Sequence, residues 1–216
     1  MVSSHFTDES SIQILQGKTT FMRRKPNEKL IDDCVKKCVK HPLSIMIWSV
    51  INYKGTGRLY IVDGTMRQQQ YLSVLETRFL PQVKEWFPNS EFILMHDSAP
   101  CHEAKSVSEW LKKSKIHVLD WPGNSPDMNP VENVWEALKK EISKDHIITN
   151  KKNLIEQLIK AWNSVTEIQQ IVKNCIHSMP RRVPALMKVK GGFKKYSNFF
   201  LFFLFLIVFG FKIVFI

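Results

Sequence analysis

The chain has 216 residues, enough for one sizeable domain with a buried core, and its 31 lysines and arginines against 20 acids give a formal charge of +11. That excess favours a polyanionic partner, whose phosphates release counterions on neutralisation, or else a solvated basic surface. Four cysteines (Cys34, Cys38, Cys101, Cys175) fall at neither zinc-ribbon nor disulfide-framework spacing, which excludes a small cystine-stapled fold and fits a reducing compartment. The polar opening, residues 1 to 10, is not a secretory signal.

Taken in order, residues 1 to 8 read as the end of a short, partly apolar strand that carries Asp8, although Asp8 and Glu9 would also serve as ordinary surface acids. Residues 18 to 42 mix charge and turn formers; Cys34 and Cys38 share one helical face but have no second pair with which to bind a metal. Ile45 to Tyr53 is apolar and β-branched, Lys54 to Gly57 supplies a glycine turn, and Arg58 to Val62 returns as a partner strand, which predicts a β-hairpin. Thr65 to Leu80 is expected to be a helix, from the spacing of Tyr71, Leu72, Leu75 and Phe79, with Pro81 limiting its extension. A basic and aromatic segment then runs to Pro88.

The chemistry concentrates between residues 91 and 136. The apolar run Phe92 to Met95 reads as a buried strand delivering Asp97 to a turn at Ser98, Ala99 and Pro100. A second run, Ile116 to Leu119, leads through a proline-rich turn towards Glu132. Strands that end in a carboxylate present an acid at the sheet's C-terminal edge, and two such acids on neighbouring elements suggest a divalent-metal site. His96 and His102 flank Asp97 and are read as supporting residues, because hard cations prefer oxygen ligands. Between Asp97 and its turn and the second run, Glu103 to Lys113 is an amphipathic helix through Ala104, Val107, Ser108 and Leu111. Asn129 suits an N-cap and Pro130 the first helical position, so Asn129-x-x-Glu132 also resembles a capping box. Val131, Val134, Trp135, Leu138 and Ile142 form the docking stripe of that helix, with Glu132 at its edge, facing a cleft. Two further amphipathic helices are expected over residues 150 to 165 and 166 to 176, followed by a basic cluster from Arg181 to Lys195.

Two long segments carry a family resemblance. Asp97-Ser98-Ala99-Pro100-Cys101-His102 resembles D-N-A-P-C-H, and Ser125-Pro126-Asp127-Met128-Asn129-Pro130-Val131-Glu132-Asn133-Val134-Trp135 resembles S-P-D-L-N-P-I-E-N-L-W, with 34 residues between Asp97 and Glu132. The chain thus resembles the DDE catalytic domain of Tc/mariner-type DNA transposases of the Tc-one-like group. Phe6-Thr7-Asp8-Glu9-Ser10 matches that family's F-S-D-E-S motif, and Met22 to Pro26 resembles its R-R-P segment. The chain departs from the family at Ser98, where asparagine is usual, at Ser49, where glycine is usual, and in lacking the helix-turn-helix DNA-binding region that normally comes first.

The resemblance implies an α/β fold of the ribonuclease-H-like type, a mixed sheet flanked by helices. It implies Asp8, Asp97 and Glu132 as catalytic residues holding two magnesium or manganese ions, roughly 3.5–4 Å apart, for phosphodiester hydrolysis and strand transfer. DNA, as transposon ends and target, is the implied partner, with a homo-oligomer also open and the nucleus as location. The expected divisions are a catalytic domain over residues 1 to 178, a basic extension over 179 to 198, and a hydrophobic tail over 199 to 216. That tail, FFLFFLFLIVFGFKIVFI, meets the lower length limit of a membrane span, but T-rich sequence translated past a lost stop codon is the favoured account, so no membrane partner is expected. The competing readings of the whole are a non-cutting remnant that binds DNA or oligomerises, and a tail-anchored membrane protein.

Overall fold

A computed structural model describes residues 3–13, 44–119, 129–144, 148, 150–164 and 167–188. The segment 18 to 42 with its cysteine pair, the proline-rich turn before Asn129, and the tail lie outside the described residues. Among the described residues no helix is long and apolar enough to cross a membrane.

The elements run β1 (Ser3–Gln13), β2 (Ser44–Asn52), β3 (Gly55–Thr56), β4 (Tyr60–Val62), α1 (Gln68–Val74), α2 (Leu80–Trp86), β5 (Phe92–Met95), α3 (Lys105–Lys113), β6 (His117–Val118), α4 (Pro130–Ile142), α5 (Lys151–Asn163) and α6 (Glu167–Lys188). They form a mixed sheet in the order β3-β2-β1-β5-β6, with β4 also paired to β2. β1 meets β2 antiparallel and β5 parallel, and β5 meets β6 parallel. The expected mixed sheet flanked by helices is therefore what forms.

β1 is the axis of the molecule. Because side chains alternate along a strand, its two faces enter two separate cores. Phe6 and Ile12 join Ile47, Ile51 and Met95 beneath α4, α5 and α6. The opposite face lies over the core built by α1, α2 and α3, which includes Tyr71, Phe79, Leu94 and Val107. A central strand covered on both faces must satisfy its polar groups internally. The Ser3 hydroxyl bonds His5 at 3.0 Å, and Thr7 Oγ1 donates to the Met95 carbonyl at 3.0 Å. This is why a strand that reads as short and partly polar runs for 11 residues, with Asp8 near its middle and not at its end.

Pro81 does not stop the first helix. The chain passes from α1 through one wide i→i+5 turn, Leu75–Phe79, and α2 starts immediately, placing Pro81 in its first turn. The proline nitrogen has no N–H to donate, and the wide turn just before it changes which carbonyls the neighbouring amides reach, as when the Leu80 amide donates to the Leu75 carbonyl. The hairpin at β2 and β3 is fixed from α6: Gln169 Nε2 donates to Thr56 Oγ1 at 2.7 Å, and its Oε1 accepts from the Thr56 amide at 3.3 Å. Gly55 adopts φ 131° against that side chain. Trp162 and Trp135 stack at 5.2 Å, and Trp162 Nε1 donates to the Gly57 carbonyl at 2.8 Å. These contacts seat α4 and α5 on the sheet. α6 is longer than expected, reaching Lys188, so position 178 falls inside it.

Candidate active site

Asp8 and Glu9 are neighbours on β1 and therefore face opposite sides of the sheet. Asp8 lies on the α4 side, buried, and Glu132 stands exposed in the first turn of α4. Asn129 caps that helix by accepting from the Val131 amide at 3.2 Å, the second helical position and not the third. Glu132 therefore contributes its backbone to the cap, donating from N to the Asn129 carbonyl at 3.2 Å, while its carboxylate sits at the solvent side. Asp97 follows the end of β5, with its side chain half-exposed.

Asp8 feels the other acids electrostatically. The Asp8 carboxyl is pushed up to about 8, first by burial and then by the negative charges of Glu132, Glu9 and Asp97; the Glu9 amide, 2.9 Å from Asp8 Oδ1, opposes this. Asp8 Oδ2 is buried with no hydrogen-bond partner. A buried carboxyl with an orphaned oxygen among like charges lacks a counter-cation, and the donors are all oxygen, as magnesium or manganese requires. In this respect the residues fit a divalent ion. In the conformation described, no three His, Cys, Asp or Glu side chains among the described residues converge closely enough to hold one.

On the other face of the sheet lies a polar cluster that the sequence reading did not assemble. His102 Nδ1 is 2.7 Å from Asp97 Oδ1, and its Nε2 is 3.1 Å from Glu9 Oε1. Burial works against protonation of His102, but the hydrogen bonds to Asp97 and Glu9 outweigh it and raise its pKa to about 10. Asp97 is held below the usual carboxylate range, chiefly by the His102 hydrogen bond. His96 behaves oppositely: burial, then the charge of His102, lowers it to about 4, so its neutral ring takes the Tyr71 hydroxyl at Nδ1, 2.7 Å away. The supporting role expected of the two histidines thus has a geometry, whereas Glu9 and Tyr71 were not singled out. The signals for Glu9 were its place in the F-S-D-E-S-like motif and its adjacency to Asp8 on a strand, which sends it to the opposite face.

The two departures from the family pattern are accommodated. Ser98 is exposed, and Asp97 is oriented without it, by His102 and by the Ala99 amide, which donates to Oδ1 at 3.0 Å. Ser49 is fully buried and sits opposite Asp8 in the β1–β2 register. Its hydroxyl is turned away to the carbonyls of Arg58 (3.2 Å) and Gly57 (3.5 Å). A cavity of about 490 Å³ opens beside Asp97, between α3 and the β5–β6 edge, lined in part by His96, Ser98, Lys112 and His117.

Residues 4–155 match the DDE superfamily endonucleases, and the chain belongs to that family. Among its relatives, it is 31% identical over 153 residues to the Tcb1 transposase of Caenorhabditis briggsae, covering 71% of this chain and 55% of that protein. It is 28% identical over 193 residues to the Tc1 transposase of Caenorhabditis elegans, covering 88% of this chain and 69% of that one. The chain thus spans about half to two thirds of the length of these two relatives. The fold is similar to a solved mariner Mos1 paired-end complex with Mg, with TM-score 0.71, 16% identity, and coverage of 89% of this chain and 57% of that one. It is also similar to the Mos1 catalytic domain with raltegravir and Mn, with TM-score 0.66, 16% identity, and coverage of 89% and 84%. The Tc/mariner resemblance read from the motifs and the ribonuclease-H-like architecture are both upheld.

Proposed function

We propose that this chain is the catalytic part of a DNA transposase, a divalent-metal-dependent endonuclease and strand transferase acting on transposon ends and target DNA in the nucleus. The observation that carries the reading is Asp8, buried on β1 with one carboxyl oxygen unpartnered and its pKa raised by burial and by the charges of Glu132, Glu9 and Asp97. Relatives that are transposases, and solved neighbours described with Mg, Mn or transposon-end DNA, support the same assignment.

Each residue has a part defined by its setting. Asp8 is buried and rigid on the central strand, Asp97 is orientated by His102 and Ala99, and Glu132 rides on a helix docked by Trp135 and Leu138. Asp8 must lose its proton to serve as a ligand, and Glu132 must turn inward from the first turn of α4. When bound there, magnesium or manganese lowers the pKa of an attacking water and stabilises the leaving 3′-oxygen of a phosphodiester. The chain's positive charge supplies the attraction for the DNA backbone. In the whole protein, cut-and-paste transposition and pairing of two copies belong to the same proposal.

The separation of the three acids in the described conformation also favours a second reading, a remnant that binds DNA without cutting it. One experiment separates the two: nicking of a short duplex by the full chain in Mn²⁺, beside Asp97→Ala and Glu132→Ala. Cleavage that falls to background in both variants upholds the endonuclease. A folded, DNA-binding chain that never nicks leaves only the remnant.

A further inference from the structure

We propose that His102 is a positioning residue for Asp97, anchored through the sheet by Glu9; this rests on the catalytic reading of Asp97. The imidazole is buried and spans two carboxylates, with Nδ1 at 2.7 Å from Asp97 Oδ1 and Nε2 at 3.1 Å from Glu9 Oε1. An ionised carboxylate only accepts, so each ring nitrogen donates and the bridge is a chain of two charge-assisted hydrogen bonds. The ring cannot swing out of that line. Tyr71 lies against it with centroids 4.0 Å apart, and His96 stacks on it at 5.1 Å with planes 7° apart. Tyr71 and His96 are themselves joined at 2.7 Å. The backbone adds a further fix, since His102 N donates to the Ala99 carbonyl at 2.8 Å.

Asp97 needs such a device, because it sits on an exposed turn with half its side chain in solvent. Its Oδ1 receives both His102 Nδ1 and the Ala99 amide, which leaves Oδ2 as the oxygen available to a cation. The anchor is equally telling. Glu9 is the residue next to Asp8 on β1, so His102 ties Asp97 to the same two-residue segment that carries Asp8. The pair thereby sets the spacing between the two aspartates from the far side of the sheet. A contact of purely structural value would hold the turn to β1 whichever ring nitrogen reached Asp97.

The test uses that last distinction. The amide nitrogen of asparagine takes the place of Nδ1, and that of glutamine the place of Nε2. His102→Asn therefore keeps the donor to Asp97, whereas His102→Gln keeps only the donor to Glu9. Mn²⁺ binding to the full chain is measured by electron paramagnetic resonance, without DNA, for wild type, both variants and Asp97→Ala, with circular dichroism as the check on folding. His102→Gln is expected to bind Mn²⁺ about 10- to 100-fold more weakly, the usual effect of losing a residue that orients a ligand. His102→Asn, which keeps the donor to Asp97 but loses the Glu9 anchor, is expected to fall between wild type and His102→Gln. Equal Mn²⁺ binding by wild type and His102→Gln, or equal loss in the two variants, overturns the proposal. If His102→Gln does not fold, Glu9→Gln takes its place: it keeps an acceptor for Nε2 but removes the charge, and must weaken Mn²⁺ binding. Wild type that binds no Mn²⁺, or binds it equally after Asp97→Ala, removes the catalytic reading itself.

Discussion

A carboxyl buried on a central strand, with one oxygen lacking any partner, burdens the fold, and Asp8 is in that position. Its folded pKa of about 8 exceeds the ordinary 3.8, so the folded chain binds the proton more tightly than the unfolded chain. The associated stability is complete below pH 3.8 and is lost as pH rises through about 8. Asp8→Asn keeps the shape and cannot ionise. In EDTA at pH 8 its melting temperature should exceed that of wild type, by ~2–4 °C for each kcal/mol recovered, and the difference should close near pH 4. A lower melting temperature for Asp8→Asn at pH 8 would refute this account. His5 on the same strand gives the opposite slope. It is buried among Phe79, Trp86, Phe87 and Phe92, and burial lowers its pKa from 6.5 to about 3. The neutral ring accepts from Asn52 Nδ2 at Nδ1 and donates to Ser3 Oγ. Its contribution is whole above pH 6.5 and declines by roughly 1.4 kcal/mol per pH unit towards pH 3. Urea titrations of His5→Gln should therefore show a shallower acid limb than wild type. Asp8, Asp97 and Glu132 were legible because each sits in a motif. The Glu9–His102 bridge was not, because it joins residues 93 apart, through a parallel β1–β5 register that no local pattern announces.

At the level of elements, what the sequence conveyed depended on whether a local rule or the tertiary setting decided the outcome. The hairpin of β2 with β3 and β4, and the buried strand β5, follow from apolar runs punctuated by glycine or a charged turn. β1 escaped the same reading because a strand covered on both faces can bury serines and a threonine once they are hydrogen-bonded. Pro81 misled for a related reason: its ring ends an ordinary α-helix, but a wide turn just before it lets a second helix start at once. The end of α3 offers a clean test of local chemistry. Lys115 adopts φ 55°, and the Ile116 amide donates back to the Leu111 carbonyl at 3.0 Å, a helix stop usually built on glycine. Lys115→Gly should stabilise the chain by about 1 kcal/mol, since the left-handed backbone costs a residue with a Cβ that much. A urea midpoint that falls would count against it. Gly55→Ala is the converse: φ is 131°, and an added Cβ would lie 2.0 Å from Gln169 Oε1. Its cost is expected at about 1–3 kcal/mol, as for other strained backbone sites, read as a lower urea midpoint.

The whole molecule sets a strongly basic chain around an acidic centre. The sheet divides two cores, one carrying Glu132 on α4 and the other bracing His102 through Tyr71, and β1 is the element common to both. Under the proposed function, a phosphodiester brought to the site would meet the negative charge of Asp97 and Glu132 locally, while the remainder of the chain, at +11 overall, would attract the flanking backbone. Attraction and local repulsion are separable by experiment. Binding to a short duplex, followed by fluorescence anisotropy in EDTA, should weaken linearly in the logarithm of salt, with a slope of about −0.9 for each phosphate neutralised. Glu132→Gln removes one negative charge at the centre and no basic contact. It should therefore raise affinity at every salt concentration and leave the slope unchanged, since the number of counterions released is set by the basic residues. A changed slope with unchanged affinity at low salt would mean that Glu132 organises the basic surface and does not face the scissile phosphate. Added Mn²⁺ should then erase the difference between wild type and Glu132→Gln if cations neutralise the centre, because the repulsion that the substitution relieves would already be gone.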